Sequence, residues 1–369
     1  MGITWQTHSS ILALLGGILI GAVAVVRHAI VGKITGISGI LNGSTIYKLN
    51  KFPYEEKLFK ILFTLGVCLG GLLCYYLFPK AFVDWSKIPI ERLLIAGFLV
   101  GLGSAIGNGC TSGHGVCGIS SLRLRSMVAT GVFMTTGILT AIFTKSLSYF
   151  PEFDNQLDMS SASIAFAVAL IVCMLLYYIG SLLSRGKIIN DEYQKRYFVT
   201  ITEFLTGVIF AVGMAVSNMS MNSATLSFLD LTVWNPALIF VMGGAICLAA
   251  PFFYFTNAKG APFLATNFDL PTSKDIDLQL ISGSGIFGIG WGLTGVCPGP
   301  ALTNLFNIQS GYRPFLLIIC MIFGFWSKEL CFDQYEKKKY APVEPLPLFS
   351  KQTDLTSTEE AKSSTVASG

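Results

Sequence analysis

The chain has 369 residues, 52% of them hydrophobic and only 12% charged, with a mean hydropathy of +0.63. Soluble domains carry roughly 25% charged residues, so this composition excludes an ordinary soluble globule and points to helices solvated by lipid. A formal charge of +4, spread over loops and a tail with no basic stripe, excludes nucleic acid as a partner.

A bilayer crossing takes about 20 apolar residues. Nine stretches qualify: 11–30, 57–79, 92–110, 126–145, 161–184, 198–217, 236–256, 280–297 and 313–328. The first is preceded by no basic segment and followed by no small-residue cleavage site, so it reads as a span rather than a signal peptide. After it comes VGKITGISGILNGS, too rich in glycine for a good helix and too apolar for an ordinary loop. It is either a re-entrant turn, tolerated at membrane depth only where protein covers it, or a helix end followed by an interfacial loop.

The third span runs into GFLVGLGSAIGNGCTSGHGVCGISSLRLRS at 97–126, an apolar helix that dissolves into glycines around Cys110, His114 and Cys117. An acidic loop (146–160), a fifth span without a counterpart and the linker SRGKIINDEYQKR follow, then four more spans. The eighth ends in GSGIFGIGWGLTGVCPGPAL at 283–302. A shift of 187 positions lays Gly101 on Gly288, Gly103 on Gly290 and Cys110 on Cys297. Four spans, one joining span and four spans make an inverted-topology repeat, because a single joining crossing reverses the second half. The expected fold is an all-α polytopic membrane protein of about nine transmembrane helices, with broken or re-entrant helices. Its halves are 1–145 and 198–330, joined by 146–197 and followed by a disordered tail at 331–369. Lys33, Lys48, Lys51, Lys60, Arg123, Arg125, Lys187, Lys259 and the tail lysines fall on one side of this topology, which puts the N-terminus outside and the C-terminus in the cytosol.

Helices that break inside a bilayer expose backbone N–H groups and positive helix ends to an anion. Thiols there add weak S–H donors without the desolvation of a full charge. Cys110 and Cys297, each at a glycine-bounded break, are therefore the leading candidates, with Asn108, Thr111 and Ser112 as flanking donors. The other reading of each break is glycine-mediated helix contact with cysteine as an apolar filler. Cys110, His114 and Cys117 form a C-x3-H-x2-C cluster that would need Cys297 as a fourth metal ligand, and it lacks the usual C-x2-C pairs. No metal or other cofactor is expected, and His114 reads as a capping or lining residue. Arg123 and Arg125 fit either an anion funnel or cytosolic anchoring. Arg27 and Glu203 are ionisable groups within spans, each near enough to an end to snorkel. The sequon Asn218-Met219-Ser220 abuts a span. The chain holds no Walker A sequence, no GxSxG and no dinucleotide fingerprint, so no catalytic residues are assigned.

GKITGISGIL, GNGCTSGHGVCGISSLRLRS and FGIGWGLTGVCPGPAL resemble the YeeE/YedE family of sulphur-compound transporters. The closer resemblance is to its two-component bacterial form, whose halves look fused here. The second half matches through GMAVSNMSMNSATLSFLDLTVWNPALIFVMGGA and the CPGP motif. The resemblance implies uptake of thiosulfate, relayed past cysteines by S–H hydrogen bonds without covalent chemistry, with Cys110 and Cys297 as relay positions. Family members carry a further cysteine in the first glycine-rich segment, where this chain has KITGISG. The matching contact falls to Ser38, Thr35 or backbone N–H groups, and sulfite and sulfide stand beside thiosulfate as substrates. The expected function is a permease for a small inorganic sulfur anion. The alternatives are a membrane sulfurtransferase or thiol oxidoreductase using Cys110 or Cys117, and a soft-metal transporter.

Overall fold

The nine apolar stretches become nine long helices. The computed structural model describes residues 7–45, 54–150, 157–185, 192–258, 260–271 and 273–336. Its long helices are α1 (Thr7–Val31), α3 (Tyr54–Leu77), α4 (Ile90–Ile106), α5 (Leu124–Phe143), α6 (Met159–Ser184), α7 (Glu192–Val216), α9 (Ala237–Ala258), α10 (Leu278–Thr294) and α12 (Arg313–Glu336). Three short helices complete the set: α2 (Ile37–Ser44), α8 (Asn222–Leu229) and α11 (Pro298–Thr303). Among the described residues there is no β-strand, only an isolated bridge between Lys33 and Asp269. Lys48, Lys51, Lys187, Lys259 and the tail beyond residue 336 lie outside the described residues, and α12 itself runs five residues past the expected start of that tail.

Among the described residues six helices are long and apolar enough to cross a bilayer, and a seventh is reached if α4 and the π-helical segment Thr111–Gly118, bent by 44° at their break, count as one span. At 17 residues, α10 reaches about 25 Å on its own and is extended past its own break by α11.

The order long, short, long, long-broken, long occurs twice, in α1–α5 and again in α7–α12, with α6 between. Contacts across the repeat are reciprocal. Helix α1 packs on α9 while α3 packs on α7; α4 packs on α12 while α10 packs on α5; and the equivalent pairs α1/α7 and α4/α10 touch at the centre. That is the pattern of two repeats exchanged by a pseudo-two-fold axis. Helix α1 is central, with 78% of its apolar stretch buried, and α6 is peripheral at 22%.

Between lipid-embedded helices the drive to associate is close contact, which small residues permit. The α4/α10 crossing depends on it: a Cβ on Gly103 would sit 2.2 Å from the Phe287 backbone nitrogen, and one on Gly290 would sit 2.8 Å from that of Val100. This crossing holds the two cysteine-bearing breaks beside each other.

Candidate functional site

The two breaks share one backbone solution. Helices α4 and α10 end at Ile106 and Thr294, four and three positions before their cysteines. The turn that follows takes a left-handed residue at matching positions, Asn108 (φ 58°) and Gly295 (φ 71°), types that tolerate this region. Cys110 and Cys297 then stand extended as the N-caps of the segments that resume. Helix restarts in both cases, as a π-helical stretch after Cys110 and as α11 after Cys297, where Pro298 occupies a first-turn position that suits proline.

The ambiguous segment after α1 resolves into the short helix α2, buried along most of its length. Its leading residues point their donors at the first break. Ile37 N–H donates to Ser112 Oγ at 3.1 Å, and Ser38 N–H donates to Cys110 Sγ at 3.5 Å. Successive amides converging on a small volume make a concavity suited to an anion. Ser112 Oγ also lies 3.4 Å from Cys110 Sγ, and Thr111 Oγ1 donates to Cys297 Sγ at 3.2 Å across the repeat.

Two cavities flank this cluster. The larger, about 260 Å³, has a mixed lining: Ser38, Asn108, His114 and Cys117 with Lys33, Lys60, Arg123 and Arg125, which outnumber the carboxylates Glu56, paired with both lysines, and Asp269. The smaller, about 60 Å³, is lined by Thr111, Ser112 and Cys297 among Met214, Met219 and Met242. Cys110 lines neither.

His114 is fixed by both ring nitrogens. Nε2 lies 3.1 Å from the Gly107 carbonyl, which can only accept, so Nε2 carries the proton and Nδ1 accepts from Ser126 Oγ at 3.1 Å. The ring therefore braces the break between the end of α4 and the start of α5, with no nitrogen left for a metal. No group of three or more metal-ligating side chains occurs among the described residues. Arg123 and Arg125 each donate to a carbonyl of the segment before α10, Pro271 and Asp275 respectively. Burial lowers the Arg123 guanidinium from its ordinary value without discharging it.

Arg27 and Glu203 do not snorkel. They pair with each other, Arg27 Nε to Glu203 Oε2 at 2.9 Å and Nη2 to Oε1 at 3.3 Å, with both residues buried. Arg27 Nη1 reaches the Ile34 carbonyl and Thr35 Oγ1, and the guanidinium lies 4.6 Å from the Phe63 ring centroid. The pair thereby tethers the backbone that delivers the α2 amides. The sequence marks both as intramembrane charges, but nothing in it matches one to the other. The methionines around Cys297 carry no sequence signal at all.

Comparison with known proteins gives one family model for each half. A model described as "Sulphur transport" matches residues 3–140, and one described as a family of unknown function (DUF6691) matches residues 198–340. A "Probable transporter" of Xylella fastidiosa strain 9a5c is 43% identical over 115 residues, 31% of this chain and 77% of that protein. Another, from strain Temecula1, is 40% identical over 130 residues, 35% of this chain and 91% of its own length. With these relatives, the sulphur-transport match and the helical membrane fold together, the chain belongs to the YeeE/YedE family of sulphur transporters.

Proposed function

We propose that this transporter is a permease for a small inorganic sulfur anion, thiosulfate or a close relative such as sulfite or sulfide, and that Cys110 and Cys297 mark the constriction of its path. One observation carries the reading. Cys110 Sγ accepts from the N–H of Ser38, which lines the charged cavity, and lies 3.4 Å from the hydroxyl of Ser112, which lines the apolar cavity where Thr111 bonds to Cys297.

The anion collects among Lys33, Lys60, Arg123 and Arg125 at one end, where positive potential raises its local concentration. Cys117, His114, Asn108 and Ser38 line its way to the centre. At Cys110 the α2 amides and the Ser112 hydroxyl replace water, and the anion exchanges hydrogen bonds with the thiol while no bond to sulfur forms or breaks. Crossing to Cys297 requires only that the Thr111 hydroxyl leave that sulfur. The repeat halves are 1–145 and 198–330, and the basic cavity faces the cytosol, in keeping with the side on which lysine and arginine accumulate.

The test is uptake of labelled thiosulfate, sulfite and sulfide into vesicles holding wild-type, Cys110→Ala or Cys297→Ala protein. Either substitution is expected to cut uptake of the true substrate about tenfold or more, the scale of one lost charge-assisted hydrogen bond. Normal uptake by a Cys110→Ala protein present in the membrane at wild-type level would refute the proposal. Mass spectrometry of substrate-treated protein is expected to find no persulfide on Cys110 or Cys117.

A further inference from the structure

Beyond the α8 end of the path, several buried polar side chains have no partner. The α7–α8 link and α8 itself are buried, and most of their polar groups are satisfied locally. Ser217 Oγ donates to the Met214 carbonyl, Ser220 Oγ to Ala81, and Ser227 Oγ to Ser223. The Asn304 amide meets the Ser220 carbonyl at 2.8 Å. Against that background both amide atoms of Asn218 and of Asn222, the Ser223 hydroxyl and the Thr294 hydroxyl bond to nothing, although each residue is at most 1% exposed. A buried amide or hydroxyl without a partner has lost its water and gained nothing in return, so four such residues in one region call for an explanation.

Their placement supplies one. A Cβ on Gly295 would lie 2.8 Å from the Asn222 carbonyl, so the start of α8 abuts the end of α10 where Thr294 stands. Asn222 and Thr225 lie three residues apart on one helix face, and Thr225 lines the cavity that holds Cys297, as does Met219 next to Asn218. Helix α8 is also the repeat counterpart of α2, whose leading residues donate to Cys110 and Ser112. In the first half this position serves the thiol with backbone amides. In the second it presents amide and hydroxyl side chains.

We propose that Asn218, Asn222, Ser223 and Thr294 form a second anion-binding site, a neutral one, at the end of the path opposite the charged cavity. It takes a small oxyanion of sulfur, held by amide N–H and hydroxyl donors with no formal countercharge. The inference rests on the permease reading and adds to it where the anion is bound before or after Cys297. A site of neutral donors selects for several acceptor oxygens and favours thiosulfate and sulfite over sulfide, which has none.

The experiment uses the full chain and the near-isosteric variants Asn222→Leu and Thr294→Val. Thiosulfate, sulfite and sulfide binding to purified protein is measured by calorimetry, uptake in vesicles, and melting temperature as a check on folding. Each variant is expected to bind thiosulfate about tenfold more weakly and to raise KM by a similar factor, with melting temperature held or raised because an unpaired polar group is gone. Wild-type affinity and KM in both variants would overturn this site while leaving the permease reading intact. A wild type that neither binds nor carries any of the three anions would overturn both. If a variant melts well below wild type, Asn222→Asp and Thr294→Ser, which keep polarity and size, decide the matter: the serine variant must retain binding and the aspartate must abolish it.

Discussion

The two cysteine breaks have the same backbone and opposite surroundings. Asn108 and Gly295 turn left-handed at matching positions, Cys110 and Cys297 cap the segments that follow, and α4 and α10 cross through each other's glycines. Yet Cys110 is fed by amides from α2 beside a cavity ringed with lysine and arginine, whereas Cys297 lies among methionines. The repeat thus builds a symmetric frame, and side chains alone make the two ends different.

The comparison can be broken most forcefully through the charges, which belong to one end only. Glu203→Leu leaves Arg27 buried without its partner and is expected to cost about 3–5 kcal/mol, read as a lower melting temperature in detergent. Adding Arg27→Met should recover most of that stability but not uptake, since Thr35 would lose its tether. The frame can be tested at the crossing. Gly103→Ala and Gly290→Ala should each destabilise by about 1–3 kcal/mol in melting experiments, Gly103→Ala the more, because its Cβ would meet backbone at 2.2 Å rather than 2.8 Å. A wild-type melting temperature in either variant would mean the crossing is looser than described. Ser38→Pro removes one N–H from the first turn of α2, a position where proline is tolerated, and should lower uptake about tenfold with little change in melting. The smallest effect lies outside both halves. Asp158 caps α6, accepting from the Ser160 hydroxyl and from the Ser161 N–H at 3.0 Å, and these hydrogen bonds, the Ser160 hydroxyl's first, hold its carboxyl down to about 2. A depressed value means the cap is at full strength above the ordinary carboxylate range and is lost as pH falls towards about 2, so the protection factor of the Ser161 amide, corrected for the intrinsic rate at each pH, should drop in acid while that of the core of α6 does not.

Much of this was legible in the sequence because it rests on local chemistry. Runs of glycine ending in cysteine, followed by His-Gly or Pro-Gly-Pro, mark helices that cannot pass straight on, and the length of the apolar stretches marks the nine long helices. Helices α4 and α10 nonetheless stop four and three positions short of the cysteines, because Asn108 and Gly295 need room to turn. Long-range pairing was not legible. Arg27 and Glu203 are 176 residues apart, as Thr111 and Cys297 are 186 apart, and each pair meets only because repeat-equivalent helices pack on each other. The segment after α1 is ambiguous in the sequence for the same reason: what settles ISGILNGS as a short, largely buried helix is the Ser112 and Cys110 acceptors contributed from elsewhere.

The reciprocal contacts have a consequence for assembly. Because α1 leans on α9 and α3 on α7, neither half owns a finished interior. A polypeptide carrying only α1–α5 would leave its most buried helix bare to lipid and its amides aimed at an unbuttressed loop. Such a fragment should be degraded when made alone and rescued when α6–α12 is supplied on a separate chain, so that covalent linkage serves stoichiometry and timing rather than architecture.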